Sequence, residues 1–374
     1  MKSLSSKPYI PYVDITLQHY GIKDELLAGI EEVINSGDFI LSSNVKEFEN
    51  QFAKYCGTRY AVGVASGTDA LILAMKALNI GEGHEVITVP NSFIATTSAI
   101  VLTGAKPVFV DVGDDFNIDP NLLEDAITYR TKAILPVHLT GCPADMNSII
   151  KIAKQYNLAI VEDAAQAVGA TYKGQSVGSF GDVGCFSLHP LKNLNACGDG
   201  GIITTNNESI YQYLLKARNH GLYCQNMFEF WSVNSRLDEL QAALLLIKMN
   251  HLDFFTKKRR QNALFYQKYL SDVVQVPQEN VCTYSVYQTF MIQVDKRNEL
   301  KDYLSKIGIE TKVHYPIPVH LQKAASGLGY KAGDFPVAES QADRILSLPI
   351  YPELTKKKLQ YITENIRKFI DRSF

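Results

Sequence analysis

Three short segments carry side chains whose types and order could do chemistry together. The run Cys185-Phe186-Ser187-Leu188-His189-Pro190-Leu191-Lys192-Asn193 is followed by the turn Gly198-Asp199-Gly200-Gly201. A lysine is ordinarily a solvated surface charge. Held in a dry pocket, its pKa falls and its amine can attack an aldehyde. The run Val161-Glu162-Asp163-Ala164-Ala165-Gln166 closes an apolar stretch with two adjacent acids and an amide. Asp163 there either caps a following helix or faces a bound cation, such as a protonated ring nitrogen. The run Ala65-Ser66-Gly67-Thr68-Asp69-Ala70 sits between an apolar strand and a helix. Ser66 with Asp69 reads as a capping box. The same residues read equally as an anion cup, with free backbone N–H groups, a hydroxyl and a glycine that permits close approach. An amine, a carboxylate and an anion cup are what an aldehyde–phosphate cofactor with a basic ring nitrogen requires.

The elements that must position these segments follow from periodicity. Helical spacing over Lys23–Ser36 stops at Gly37, and Asn44–Tyr55 reads as a second helix with Asn44 as its cap and Glu47 three residues later. β-rich runs at Tyr60–Ala65, Glu85–Val89, Pro107–Val112, Ala133–Val137 and Ala159–Val161 alternate with helical stretches. That alternation predicts βαβ units and a mostly parallel sheet covered on both faces. Beyond about residue 236 the pattern becomes α+β. It runs through helix Leu237–Asn250, helix Lys257–Leu270, strand Thr289–Val294, helix Asn298–Ile307, a strand-like Glu310–His314 and helix Thr355–Arg372. The expected division is a large α/β domain over 1–250, including the N-terminal helices, and a smaller α+β domain over 251–374.

Composition bounds the function classes. The chain has 374 residues, 46% of them hydrophobic, with 37 Lys+Arg against 39 Asp+Glu, for a formal net charge of −2. A disordered chain is excluded by the apolar content, and no basic footprint for nucleic acid is visible. No apolar run approaches the roughly 20 residues that span a bilayer. The opening MKSLSSKPYIPYVD lacks an apolar signal core, so a cytoplasmic location is expected. Cys56, Cys142, Cys185, Cys197, Cys224 and Cys282 show neither C-x-x-C nor zinc spacing, so no metal site is expected. They read as buried or half-buried free thiols.

Ordered motifs along almost the whole chain resemble the DegT/DnrJ/EryC1/StrS family of sugar aminotransferases, which share the aspartate-aminotransferase fold type I and use pyridoxal phosphate (PLP). The resemblance is carried by FILSSNVKEFE at 39–49, GVASGTDALILA at 63–74, HEVITVPNSFIATTSAI at 84–100 and GAKPVFVDV at 104–112. It continues with VHLTGCPADM at 137–146, VEDAAQAVGA at 161–170, FSLHPLKNLNACGDGG at 186–201 and RNHG at 218–221. NSRLDELQAA at 234–243, HYPIPVHLQKA at 314–324 and SLPIYPELT at 347–355 complete it. The resemblance implies that Lys192 takes the cofactor aldehyde, Asp163 pairs with the ring nitrogen, and Gln166 lies beside the ring oxygen. It implies that Ser187, Gly67 and Thr68 form the phosphate cup and Phe93 stacks on the ring. Asn234 would reach the phosphate of a partner subunit in a homodimer. His189, His314 and Tyr315 match positions that face the sugar nucleotide; His314 reads equally as a structural residue, and His320 at least as well. Thr140, Cys142 and Leu191 depart from many relatives, which have Tyr, Gln and Thr there; no catalytic group is lost.

The implied activity is a two-stage transamination in which the cofactor cycles between PLP and pyridoxamine phosphate (PMP). Glutamate would give up its amino group in the first stage. A nucleotide-linked keto-deoxysugar, 3-keto favoured over 4-keto, would take it up in the second, for lipopolysaccharide or a related glycan. A subset of the family has His in place of Lys192 and is expected to act as dehydratases; the lysine here argues for transamination. A dinucleotide oxidoreductase is disfavoured because no G-x-G-x-x-G follows the first strand. A regulatory protein that keeps the fold without turnover is disfavoured by the intact Lys192 and Asp163.

Overall fold

The computed structural model describes residues 9–371. Most of the stretch read for an export signal, and Arg372 of the expected last helix, lie outside the described residues. Seven strands form the main sheet: β1 Tyr60–Val64, β2 Glu85–Thr88, β3 Lys106–Phe109, β4 Thr131–Ile134, β5 Ala159–Asp163, β6 Val183–Ser187 and β7 Gly201–Thr205. Their spatial order is β1-β7-β6-β5-β4-β2-β3. Neighbours from β6 to β3 are parallel, and β7 runs antiparallel to both β6 and β1. β1 therefore points the same way as the parallel set. The mostly parallel expectation holds, with one reversed strand.

Several strands are shorter than their apolar runs. β4 stops at Ile134 because Pro136 has no N–H for the ladder. The chain stays extended beyond it, and Pro136 C=O accepts from Asp163 N–H at 2.9 Å. β2 is buried along its whole length, and its Glu85 is paired with Arg130 Nη2 at 2.8 Å and with Thr128 Oγ1 at 2.6 Å. At the outer edge of β1, Gly63 N–H donates to Glu49 Oε1 at 2.7 Å and Gly63 C=O accepts from Arg218 Nη1 at 3.0 Å. Glu49 and Arg218 also pair with each other, so the buried ion pair closes that edge.

A second apolar core gathers Ala263, Tyr266, Phe290, Leu300, Leu346, Ile362 and Ile366, with Ile10 joining it from the N-terminal segment. It is built on helix Leu252–Leu270, strands β8 Phe290–Gln293 and β9 Ile345–Leu348, and helices Arg297–Lys306 and Lys356–Asp371. β8 and β9 are antiparallel. Val319, Phe335 and Ala338 instead pack on the core of the main sheet. Asp111, just past β3, accepts from the N–H groups of Val337 and Ala338, both at 2.9 Å, and ties helix Pro336–Arg344 to the sheet.

Three local expectations are corrected. The second helix spans Ser43–Cys56, and Asn44 does not cap it. The buried carboxylate of Glu239 accepts from the N–H groups of Ser42, Asn44 and Val45, doing from a distant helix what a local cap would do. Glu310–His314 forms no strand. Lys312 makes a single bridge to Ser347, and Ile309, just before the stretch, bridges Ile10 of the N-terminal segment. All six cysteines are free, but Cys197 and Cys224 are exposed, one past the Lys192 loop and one at a hairpin tip. No helix among the described residues is long and apolar enough to cross a membrane.

Gly201 opens β7 directly beneath the Ser66–Gly67 turn. A Cβ there would lie 2.2 Å from Ser66 O and 2.8 Å from Gly67 N, both backbone. Gly201→Ala must therefore displace the turn, at a cost of about 1–3 kcal/mol. Thermal melting should show the loss, and the purified variant should retain less cofactor. Wild-type melting and retention would refute this account of the turn.

Candidate active site

The carboxyl ends of β1, β2, β5 and β6 all open on one edge of the sheet, where ligands sit in open α/β folds. Each contributes one sequence-identified segment. β1 leads into helix Gly67–Ala77, where Ser66 Oγ accepts from Asp69 N at 3.0 Å. The cap is real, but only half of a box forms. Asp69 turns away and accepts from Ser235 Oγ at 2.8 Å, and Ser235 Oγ accepts from Ala65 N at 3.1 Å. Gly67 and Thr68 lead the helix, so their N–H groups have no intrahelical acceptor. A Cβ on Gly67 would stand 2.7 Å from Ser187 Cβ. Glycine thus lets the helix start close on the end of β6. The cup has the donors and the clearance for a phosphate.

Asp163 ends β5 and is 4% exposed. No helix follows, so it caps none. Its Oδ2 accepts from Thr96 Oγ1 at 2.7 Å, and its Oδ1 accepts from Ala165 N at 3.1 Å. Burial pushes its pKa up, opposed by these two hydrogen bonds and by the charge of Lys192. Thr96 is itself held by Ser92, hydroxyl to hydroxyl, at 2.5 Å. A buried carboxylate with so little direct charge compensation suits a cationic ring nitrogen as partner.

Glu162, next to it, points to the opposite face of β5. It is fully buried and accepts from the N–H groups of Gly178 at 2.7 Å, Phe180 at 2.8 Å and Gly181 at 2.8 Å. His138 Nδ1 accepts from Ala144 N at 3.0 Å, so its proton is on Nε2, which faces Glu162 at 3.3 Å. Glu162 is structural.

Lys192 is half-buried, and its amine has no hydrogen bond or ion pair among the described residues. Burial lowers its pKa to about 8, while the Asp163 charge raises it. An amine so poised suits an aldehyde. Gln166 is buried, and burial pushes the pKa of Tyr315 up while Gln166 lowers it. Tyr315 comes from the 314–320 segment and packs against half-exposed Phe93, ring centroids 5.5 Å apart. His314 Nδ1 lies 2.9 Å from Ser347 Oγ. Burial, then the charges of Lys192 and Lys312, lower its pKa to about 4, so the ring is neutral near pH 7.

His189 is exposed, and its Nδ1 accepts from Leu191 N of its own loop at 3.2 Å. Asn234 is exposed, beside the buried Ser235 that steadies the cup. His320 is buried against Glu339, 3.0 Å from Nε2 to Oε1, and edge-on to Phe335. A cavity of about 420 Å³ lined by Asp114, Thr140, Cys142, Gln275 and Gln293 holds none of these residues. Thr96 and Ser235 went unrecognised in the sequence. Nothing in their spacing marks them, because each acts on a residue far away in the chain.

Residues 21–367 match the DegT/DnrJ/EryC1/StrS aminotransferase family. The chain belongs to this family. It is a PLP-dependent aminotransferase, and solved structures similar to it include PLP and PMP forms. A "Pleiotropic regulatory protein" of Geobacillus stearothermophilus is 43% identical over 96% of this chain and 98% of that protein. A "UDP-N-acetyl-3-dehydro-alpha-D-glucosamine 3-aminotranferase" of Acidithiobacillus ferrooxidans is 43% identical over 96% of this chain and 97% of its own. The crystal structure of S. venezuelae DesV in complex with a ketimine intermediate superposes with a TM-score of 0.95. It is 41% identical and covers 97% of this chain and 99% of that one.

The charge balance in this aminotransferase yields a titration test. Asp163 raises the Lys192 pKa, so Asp163→Asn should move the amine's midpoint below about 8 in the cofactor-free protein. Competitive acylation of Lys192 across pH, read by mass spectrometry, gives that midpoint. An unchanged or raised midpoint would rule out the coupling.

Proposed function

We propose that the protein transfers an amino group from glutamate to a keto-deoxysugar carried on a nucleoside diphosphate, with the 3-keto sugar preferred over the 4-keto sugar. The observation that carries the reading is the unpaired Lys192 amine, with its pKa lowered to about 8, at the edge of the sheet that also bears Asp163 and the anion cup. The sugar and its position draw on the Acidithiobacillus relative's name. Glutamate and a role in lipopolysaccharide or related glycan synthesis, in the cytoplasm, complete the proposal.

When bound, the cofactor supplies an aldehyde to carry the amino group and a ring that takes up an electron pair. The N–H groups of Gly67 and Thr68 and the hydroxyl of Ser187 hold its phosphate. Phe93 would stack on the ring, and Gln166 would hold the ring oxygen. Asp163 keeps a proton on the ring nitrogen, which preserves the ring's pull on electrons. Lys192 Nζ moves a proton from the α-carbon of the donor and later delivers one to the sugar carbon. His189, His314 and Tyr315 meet the sugar nucleotide. His314 does so as a neutral hydrogen-bonding group, since its pKa is lowered to about 4. We assign cofactor binding to residues 1–250, while His314 and Tyr315 come from residues 251–374.

The same reading makes the enzyme a homodimer in which Asn234 crosses to the partner's cofactor phosphate. Its exposure fits that role, as does the hairpin before it. There Tyr223, Met227 and Phe228 are more than half exposed, and Trp231, just past the hairpin, is fully so. A regulatory reading takes support from the name of the Geobacillus relative.

Nucleotide-linked 3-keto and 4-keto deoxysugars incubated with glutamate and the holoenzyme, and followed by mass spectrometry, test the substrate. The 3-keto sugar should be aminated and the 4-keto sugar turned over far more slowly. Preference for the 4-keto sugar would overturn the regiochemistry, and a cofactor-loaded protein inert to both would favour the regulatory reading. Mixed Lys192→Ala and Asn234→Ala subunits should regain activity that neither homodimer has, because one site in the hybrid keeps both residues. Absence of complementation would overturn the shared site.

A further inference from the structure

The peptide groups around Lys192 are each held by a specific partner. Lys192 N–H donates to His189 C=O at 2.9 Å, and Lys192 C=O accepts from Asn195 Nδ2 at 2.9 Å. The two flanking groups are held by one side chain. Gln288 Nε2 donates to Leu191 C=O at 2.7 Å, and Gln288 Oε1 accepts from Asn193 N–H at 2.9 Å. A primary amide has a donor and an acceptor on one carbon, so it can close both sides of a peptide pair at once.

Gln288 does not belong to the lysine loop. It lies two residues before β8, on the strand of chain that leads into the second core. That stretch is stitched to the site on its other side as well. Val286 N–H donates to Gly141 C=O at 3.0 Å, and Asn193 Nδ2 reaches Val286 C=O at 3.4 Å. Gly141 has φ +87°, and a Cβ there would meet Gln166 O at 2.9 Å and Gln288 N at 3.0 Å. Residues 286–288 thus wedge between the carrier of Gln166 and the carrier of Lys192.

We infer that Gln288 is a positioning residue for Lys192, its amide clamping the peptides on either side of the lysine and registering the amine to the seat of the second core. The inference rests on Lys192 being the amine that takes the cofactor aldehyde. Gln288 touches neither cofactor nor substrate in this role. It fixes the direction in which the Lys192 side chain leaves the backbone, where an error of about 1 Å costs on the order of a hundredfold in rate.

Gln288→Met keeps the length and removes both hydrogen bonds. In the holoenzyme it should lower kcat by on the order of ten- to a hundredfold and leave the sugar KM within about twofold of wild type, as expected when only the proton-transfer geometry is lost. It should also displace the pH midpoint of the visible absorption band of the bound cofactor. Gln288→Glu retains the acceptor for Asn193 N–H and should lie between Met and wild type in kcat. It decides by the same readouts if the Met variant does not fold. A variant that melts earlier but keeps the wild-type midpoint and kcat would overturn the inference, leaving Gln288 merely structural. Borohydride reduction of the wild-type holoenzyme and peptide mapping separate the two failures. A tag absent from Lys192 would sink the lysine assignment, whatever Gln288 does.

Discussion

The buried carboxylate of Asp163 is the constraint around which the rest of the site is arranged. A carboxylate taken out of water must be hydrogen-bonded and must face positive charge, or it takes up a proton and becomes neutral. Thr96 and the Ala165 N–H supply the first requirement. The second is met only in part, since Lys192 acts on it through space without touching it. That incomplete compensation leaves room for a cationic ligand atom. It also ties the two groups together, because the charge that Asp163 keeps is the charge that stops the Lys192 pKa from falling further.

The neighbouring acid shows what full compensation looks like. Glu162 leaves β5 on the opposite face, because successive side chains of a strand alternate. There it meets three backbone N–H groups and a histidine whose tautomer is set by Ala144. Nothing remains for a ligand to satisfy. Two adjacent carboxylates of equal burial therefore take different roles, one structural and one available for chemistry, for reasons of strand geometry alone.

The second core contributes to the site through backbone connections as well as through side chains. His314 is anchored on Ser347 of β9, while Tyr315, next to it, packs on Phe93 and on the core of the main sheet. The 286–289 stretch runs past the lysine loop on its way into β8. Gly141 is where that stretch comes closest to the site, since a Cβ there would meet Gln166 O and Gln288 N.

Much of this was legible in the linear chain. Alternating apolar runs marked the parallel sheet, because strands covered on both faces need few polar residues. Helix Lys23–Ser36 was bounded by its own periodicity and by Gly37, which adopts φ +72°. The lysine, the acid pair and the Gly-rich junction could be picked out because each lies at a strand end, where local sequence changes character. What the sequence could not assign were the groups whose partners are remote. Glu239 caps a helix some two hundred residues earlier, Thr96 holds Asp163, and Gln288 brackets Lys192 from a segment nearly a hundred residues later. Such pairings depend on which strand ends are neighbours, and the order β1-β7-β6-β5-β4-β2-β3 is settled only when the helices between them pack. The residue types that can do the chemistry are a property of the sequence. Which of two buried acids is left unsatisfied, and which amide braces the lysine, was decided by the tertiary structure, because hydrogen-bond complementarity exists only between groups that folding has brought within reach.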